Sequence, residues 1–254
     1  MLTVERLTKW YNGIPAVRDV SFEVAPGQVL GCLGANGSGK TTTVSMIMGL
    51  IEPDGGIVRF GGIPTAADMI SFRRHVGYVP EQPHVYPFMT GREFLQLIGD
   101  LRELPAHITS SRVDRLLAAW EFSPSEYDTP LSMYSKGMRQ KVLISAALLP
   151  NPDVLVFDEP TSGLDATSNL VFDALISELA VAGKAIFYCS HDIHSIQRTS
   201  DRVIVLREGK VVASGTVDQI KATMASPTLE SAFAGLLADF DAGRAARALL
   251  ESTR

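Results

Sequence analysis

Three short stretches carry residue types that act on phosphates. GANGSGKTT, residues 34–42, follows the apolar run VLGCL directly. Its glycines let backbone N–H groups turn inward on phosphate oxygens, and a helix beginning at its end adds a positive pole. The G-x-x-x-x-G-K-[ST] spacing places Lys40 to reach the β- and γ-phosphates of a nucleotide and the Thr41 hydroxyl to ligate magnesium. The predicted cradle is Gly34, Asn36, Gly37, Ser38, Gly39, Lys40, Thr41 and Thr42. The second stretch is VLVFDEP. It puts Asp158 at the carboxyl end of a strand, where α/β sheets bind ligands and where such an aspartate holds magnesium. Glu159, one residue on, points elsewhere and is placed to polarise an attacking water. Two carboxylates in the sheet that carries the phosphate loop predict hydrolysis rather than binding alone. The third stretch, YSKGM (134–138), opens a helical pattern, with Ser135 as N-cap and a lysine in the first turn.

The elements that hold these stretches follow from hydrophobic periodicity. VLGCL (29–33), VLVFD (154–158), AIFYC (185–189) and VIVLR (203–207) are short and lack alternation, as in strands covered on both faces of a mostly parallel sheet. Phe172, Leu175, Ile176 and Leu179 recur on one face of a helix between them. Strand and helix alternate, so the class is α/β. The first 28 residues differ, reading as edge strands joined by an Asn12-Gly13 turn, and predict a small antiparallel sheet. From about Glu81 to Leu149 the pattern is helical, with one apolar stripe of Phe94, Leu97, Ile98 and Leu101 and another of Val113, Leu116, Leu117 and Trp120. This predicts a helical insertion in the α/β core. Glu208-Gly209 reads as a hairpin turn, after which helical segments run to Arg254, with ESAFAGLLADF as a packing helix.

Composition limits the remaining classes. The chain has 254 residues, 46% of them hydrophobic and 20% charged, as in a soluble globular protein. A net charge of -5 gives no electrostatic argument for nucleic acid. Cys32 and Cys189 each lie in a strand-like apolar run and read as buried reduced thiols, implying a reducing compartment. The N-terminus MLTVERLTKWY has no apolar leader region, and the longest uncharged apolar stretch, Val142 to Leu149, is far short of a bilayer span. Any membrane role is expected to come through a partner.

Phosphate loop, YSKGM, VLVFDEP, SGLD and SHD in this order resemble the ATP-binding subunit of an ABC transporter, from about Leu2 to Leu237. The resemblance implies a P-loop NTPase core with a mostly parallel sheet, an N-terminal antiparallel β subdomain and an inserted helical subdomain. It divides the chain into an ATPase domain over 1–237, its helical insertion at about 81–150, and a helical tail over 238–254. In that family the signature LSGGQ begins a helix aimed at the γ-phosphate held by a second subunit. YSKGM matches it at Ser135 and Gly137, a hydroxyl donor and a glycine that lets backbone amides approach phosphate. Lys136 stands where the family has glycine and adds positive charge, and Met138 where it has glutamine. Ser162, Gly163, Leu164 and Asp165 match the D-loop, His191 the switch histidine, and Tyr11 the aromatic that stacks on adenine, with Trp10 beside it as a core or edge residue. The Q-loop position holds Glu81 instead of glutamine, with Gln82 one residue late, and a carboxylate there can approach magnesium. PHVYPFMTGREF then falls where the membrane subunit inserts its coupling helix.

The resemblance implies ATP and Mg²⁺ as cofactors, a second ATPase subunit (a copy or a different chain) and an integral membrane permease. It places the chain in the cytoplasm, on the inner face of the membrane. YSKGM and a short tail without a regulatory β-domain resemble exporters. A soluble ABC-type ATPase acting on nucleic acid or ribosomes is the alternative. No heptads lie between Lys40 and Asp158, and the chain holds one cassette, against that reading. A module that binds ATP without turning it over is opposed by the presence of both Glu159 and His191.

Overall fold

The computed structural model describes residues 1–82, 84–223, 225–229, 231 and 233. The tail over 238–254 and nearly all of ESAFAGLLADF lie outside the described residues.

An antiparallel sheet begins with β1 (Leu2–Tyr11) and β2 (Ile14–Val24). Asn12 and Gly13 between them take φ of 50° and 78°, the two left-handed residues a tight hairpin needs. β3 (Val29–Leu33) then enters the centre of a second sheet, and α1 (Lys40–Ile47) follows the phosphate loop. The chain next returns to the first sheet with β4 (Gly55–Phe60) and β5 (Ile63–Pro64), in the order β2-β1-β4-β5. The antiparallel sheet is therefore not confined to the first 28 residues.

α2 (Met69–His75) leads into β6 (Val76–Val79) at the edge of the second sheet. The helical insertion holds α3 (Gly91–Leu101), α4 (Ala106–Ala119), the single turn α5 (Pro124–Tyr127) and α6 (Lys136–Leu148). One expected stripe shifts here: Phe94, Leu95 and Gly99 are buried on α3, whereas Leu101 is 71% exposed. Spacing alone favoured Leu101, but Gly99 closes on Thr109 of α4, where a Cβ would lie 2.3 Å from Cγ2, and this close approach rotates the buried face. On α4, Val113 and Leu117 are buried as predicted. α6 crosses β6 so closely that a Cβ on Gly77 would lie 2.3 Å from the Ala147 carbonyl oxygen.

β7 (Val154–Asp158), α7 (Ala166–Val181), β8 (Ala185–Ser190), α8 (Ile193–Thr199), β9 (Arg202–Arg207), β10 (Lys210–Gly215) and α9 (Val217–Thr223) complete the described elements. The second sheet runs β10-β9-β3-β8-β7-β6, parallel except for the β9–β10 hairpin. Every residue of β3, β7 and β8 is buried, which is why these strands read as continuous apolar runs. Cys32 and Cys189 are free, buried and in register on β3 and β8. Among the described residues, no helix is long and apolar enough to cross a membrane.

Candidate functional site

The phosphate loop leaves β3 at the carboxyl edge of the sheet and turns into α1. Gly37 and Gly39 take φ of 79° and 106°, and a Cβ on Gly39 would lie 2.7 Å from the Ala16 carbonyl oxygen. Gly34 is needed for a different reason: a Cβ there would lie 2.3 Å from Ser38 Oγ. Lys40 is buried and folds back over the loop, with Nζ donating to the Gly34 carbonyl at 2.7 Å.

Opposite it, β7 delivers the two carboxylates. Asp158 is fully buried, and neither of its oxygens has a hydrogen-bond partner. Burial is the main cause that pushes its carboxyl up to about 6, with the carboxylates of Glu81 and Glu159 adding to the rise. The Thr41 hydroxyl opposes that rise by proximity, but its proton is directed at Glu81 Oε2, 3.1 Å away. Glu159 takes a left-handed φ of 50°, fixed by its N–H donating to the Cys189 carbonyl at 2.9 Å. This turn sends the Glu159 side chain away from Asp158's direction. Its Oε1 lies 3.4 Å from Lys40 Nζ, and its Oε2 2.7 Å from His191 Nδ1. A carboxylate can only accept, so this bond fixes the proton on Nδ1 and leaves Nε2 facing outward. Ser190 Oγ also donates to Glu159 Oε2, at 3.4 Å. Ser190 is the serine of SHD, but its bond to Glu159 is not legible in the sequence.

A cavity of about 330 Å³ joins these groups, with Lys40, Thr41, Thr42, Glu81 and Glu159 in its wall. Asn36, Gly37, Gly39 and Tyr11 line the same cavity, and Tyr11 is 47% exposed. Trp10 does not line it; its backbone N–H is held by Asp54 at 2.6 Å on the strand. The fold thus brings the phosphate loop, the aromatic, Glu81 and Glu159 to one wall. Asp158 and His191 lie outside the lining, Asp158 beside Thr41 and Glu81, and His191 bonded to Glu159.

Ser135, Gly137 and Asp165 are not in this wall. Ser135 is the N-cap of α6, its Oγ accepting from the Met138 N–H at 3.1 Å. Asp165 caps α7, accepting from Ser168 N–H and Oγ, both at 2.8 Å, and the backbone bond holds its carboxyl below the usual range. Gly137 has a reason within the chain that spacing did not reveal: a Cβ there would lie 2.6 Å from the Gly163 carbonyl oxygen.

The donor set around Asp158 fits a hard divalent cation. Two orphaned buried carboxylate oxygens, the Thr41 hydroxyl and the Glu81 carboxylate are all oxygen ligands of the kind magnesium takes. Among the described residues no cluster of three His, Cys, Asp or Glu side chains forms a metal cage.

Comparison with known proteins agrees with this geometry. The ABC transporter family pattern matches residues 17–162. An uncharacterised ABC transporter ATP-binding protein of Nostoc sp. is 36% identical over 219 residues, which cover 85% of this chain and 65% of that one. The Nod factor export ATP-binding protein I of Ralstonia nicotianae is 38% identical, over 85% of this chain and 67% of that one. The chain therefore spans about two thirds of the length of these relatives. A solved dimeric ATP-binding cassette in a post-hydrolysis state with ADP and Pi superposes with a TM-score of 0.79 at 26% identity, covering 85% of this chain and 98% of that one. Motif order, site geometry and these likenesses agree: the chain belongs to the ABC transporter family, as an ATP-binding subunit.

Proposed function

We propose that the chain is the ATP-hydrolysing motor of a transporter that exports its cargo through a separate membrane permease. The observation that carries the reading is the pairing of Glu159 with Lys40 on one oxygen and His191 on the other, at the wall of the phosphate-loop cavity. A module that only held ATP has no need of a glutamate kept in a left-handed turn between a cation and an imidazole.

In this reading Tyr11 stacks on adenine, and Gly34, Asn36, Gly37, Ser38, Gly39 and Thr42 cradle the phosphates. Lys40 offsets charge on the β- and γ-phosphates. Thr41, Asp158 and Glu81 hold Mg²⁺, which when bound offsets charge on the transferred phosphoryl group. Glu159 orients a water for in-line attack on the γ-phosphorus and takes its proton as ADP leaves. His191 holds the Glu159 carboxylate from Nδ1 and presents its other face to the γ-phosphate. Ser135, Gly137 and Asp165 lie outside the cavity because they serve the nucleotide of a second ATPase subunit; the dimeric relative supports that arrangement.

The permease reading has its own support. A groove of about 700 Å³ lies between α2 and α3, its wall holding the exposed Leu50, Ile70 and Leu101 together with Arg73, Arg74 and His84. Tyr86 and Phe88, in the stretch expected to meet the coupling helix, are 52% and 76% exposed. Such a face suits an apolar helix end from a membrane protein. The working location is the inner membrane face, with no nucleic acid partner. Export is supported by YSKGM and by the name of the Ralstonia relative.

The test is Glu159→Gln with ATP-Mg²⁺, reading mass in solution. An ATP-dependent dimer is expected, since glutamine keeps the shape of the site and removes the group that takes the proton. A chain that binds ATP yet remains monomeric overturns self-pairing and moves the search to a different ATPase subunit.

A further inference from the structure

Lys136 is the charged residue of the YSKGM run, and the motor reading leaves it without work. It is the first residue of α6, and its ammonium turns to a segment of its own chain. Its Nζ donates to Ser162 Oγ of the same chain at 2.7 Å. Its stem lies along the backbone of the next residue, and a Cβ on Gly163 would come within 2.8 Å of Lys136 Cγ and Cδ. From the other side, Gly137 fits against the Gly163 carbonyl oxygen with no room for a side chain. The segment so held is the turn directly after Glu159, closed by Ser162 N–H to the Glu159 carbonyl and Leu164 N–H to the Thr161 carbonyl, both at 3.1 Å.

We propose that Lys136 is a positioning residue that clasps residues 161–164 to the amino end of α6. The signature run and the turn that carries Glu159 then move as one body. A glycine at position 136, as in LSGGQ, supplies neither the donor nor the stem. The clasp itself lies within one chain; its effect on turnover rests on the motor reading. In a dimer, each signature run faces one nucleotide while the adjoining turn belongs to the other, so a stiff link between them makes closure at one site felt at the second.

The test separates the two levels. In the nucleotide-free chain, hydrogen exchange at the Ser162 and Leu164 amides is read in Lys136→Met, Ser162→Ala and the double variant. Methionine keeps most of the stem and removes the ammonium. Both single variants are expected to exchange about 3–10-fold faster at these amides, and the double no faster than either, because one bond has been removed in all three. Lys136→Arg, which restores a donor, is expected to return most of the protection. With ATP, Lys136→Met is expected to lower kcat while KM stays within about two-fold. Unchanged exchange in Lys136→Met overturns the clasp. A raised KM with unchanged exchange also overturns it and makes Lys136 a phosphate ligand. Failure of Glu159→Gln to bind ATP would remove the motor reading, and failure only to pair would remove self-pairing, while the exchange result would stand on its own.

Discussion

Asp158→Asn is expected to stabilise the nucleotide-free, magnesium-free chain at the expense of its response to ATP-Mg²⁺. The carboxylate is fully buried, both of its oxygens lack partners, and its carboxyl sits at about 6 against an ordinary 3.8. A tenfold change in acidity is worth about 1.4 kcal/mol, so the ionised form burdens the fold by about 3 kcal/mol. The sign follows from proton binding. Between 3.8 and about 6 the folded chain keeps a proton that the unfolded chain has lost, so stability falls as pH rises through that window. Above it the whole cost is present, and below it none. Asparagine resembles the protonated acid at every pH. Urea unfolding should therefore show Asp158→Asn more stable by about 3 kcal/mol at pH 8, by about half that at pH 5, and converging with the parent at lower pH. ATP-Mg²⁺ at about a thousand times Kd should reverse the order, because the parent gains about 4.1 kcal/mol there and the variant gains little. A variant no more stable than the parent at pH 8, or one whose advantage does not change with pH, refutes the reasoning.

Two further outcomes follow from the geometry. Gly137→Ala should lower the unfolding midpoint by about 1–3 kcal/mol equivalent and also slow turnover, because its new methyl meets the Gly163 backbone, which cannot swing aside; unchanged stability and turnover would show that the D-loop yields freely. His191→Ala should reduce kcat by about 10²–10⁴-fold with ATP binding retained, since the histidine holds the Glu159 carboxylate and does not line the cradle; a lost nucleotide affinity, measured by titration, would contradict that division of labour.

Much of the site was legible in linear sequence because its pieces are short and local. The phosphate loop is a strand, a glycine turn and a helix start within a dozen residues, and the Asp158-Glu159 pair marks one strand end. The α/β class was equally visible, since strands buried on both faces cannot alternate. Glu81 could be located from the strand before it, though its bond to Thr41 could not.

What periodicity could not supply was everything set by which elements come to lie side by side. β4 and β5 join the first sheet from beyond α1, a pairing no local pattern announces. Leu101 lost its place in the core to Leu95 because Gly99 had to close on Thr109. The linear chain specified a nucleotide cradle and two carboxylates, as these depend on backbone geometry within a few residues. The bond between His191 and Glu159, the desolvation of Asp158 and the hold of Lys136 on Ser162 join residues 26 to 32 positions apart or depend on burial from all sides. Only tertiary packing decides those, because hydrogen bonds and desolvation act over ångströms in space and take no account of distance along the chain.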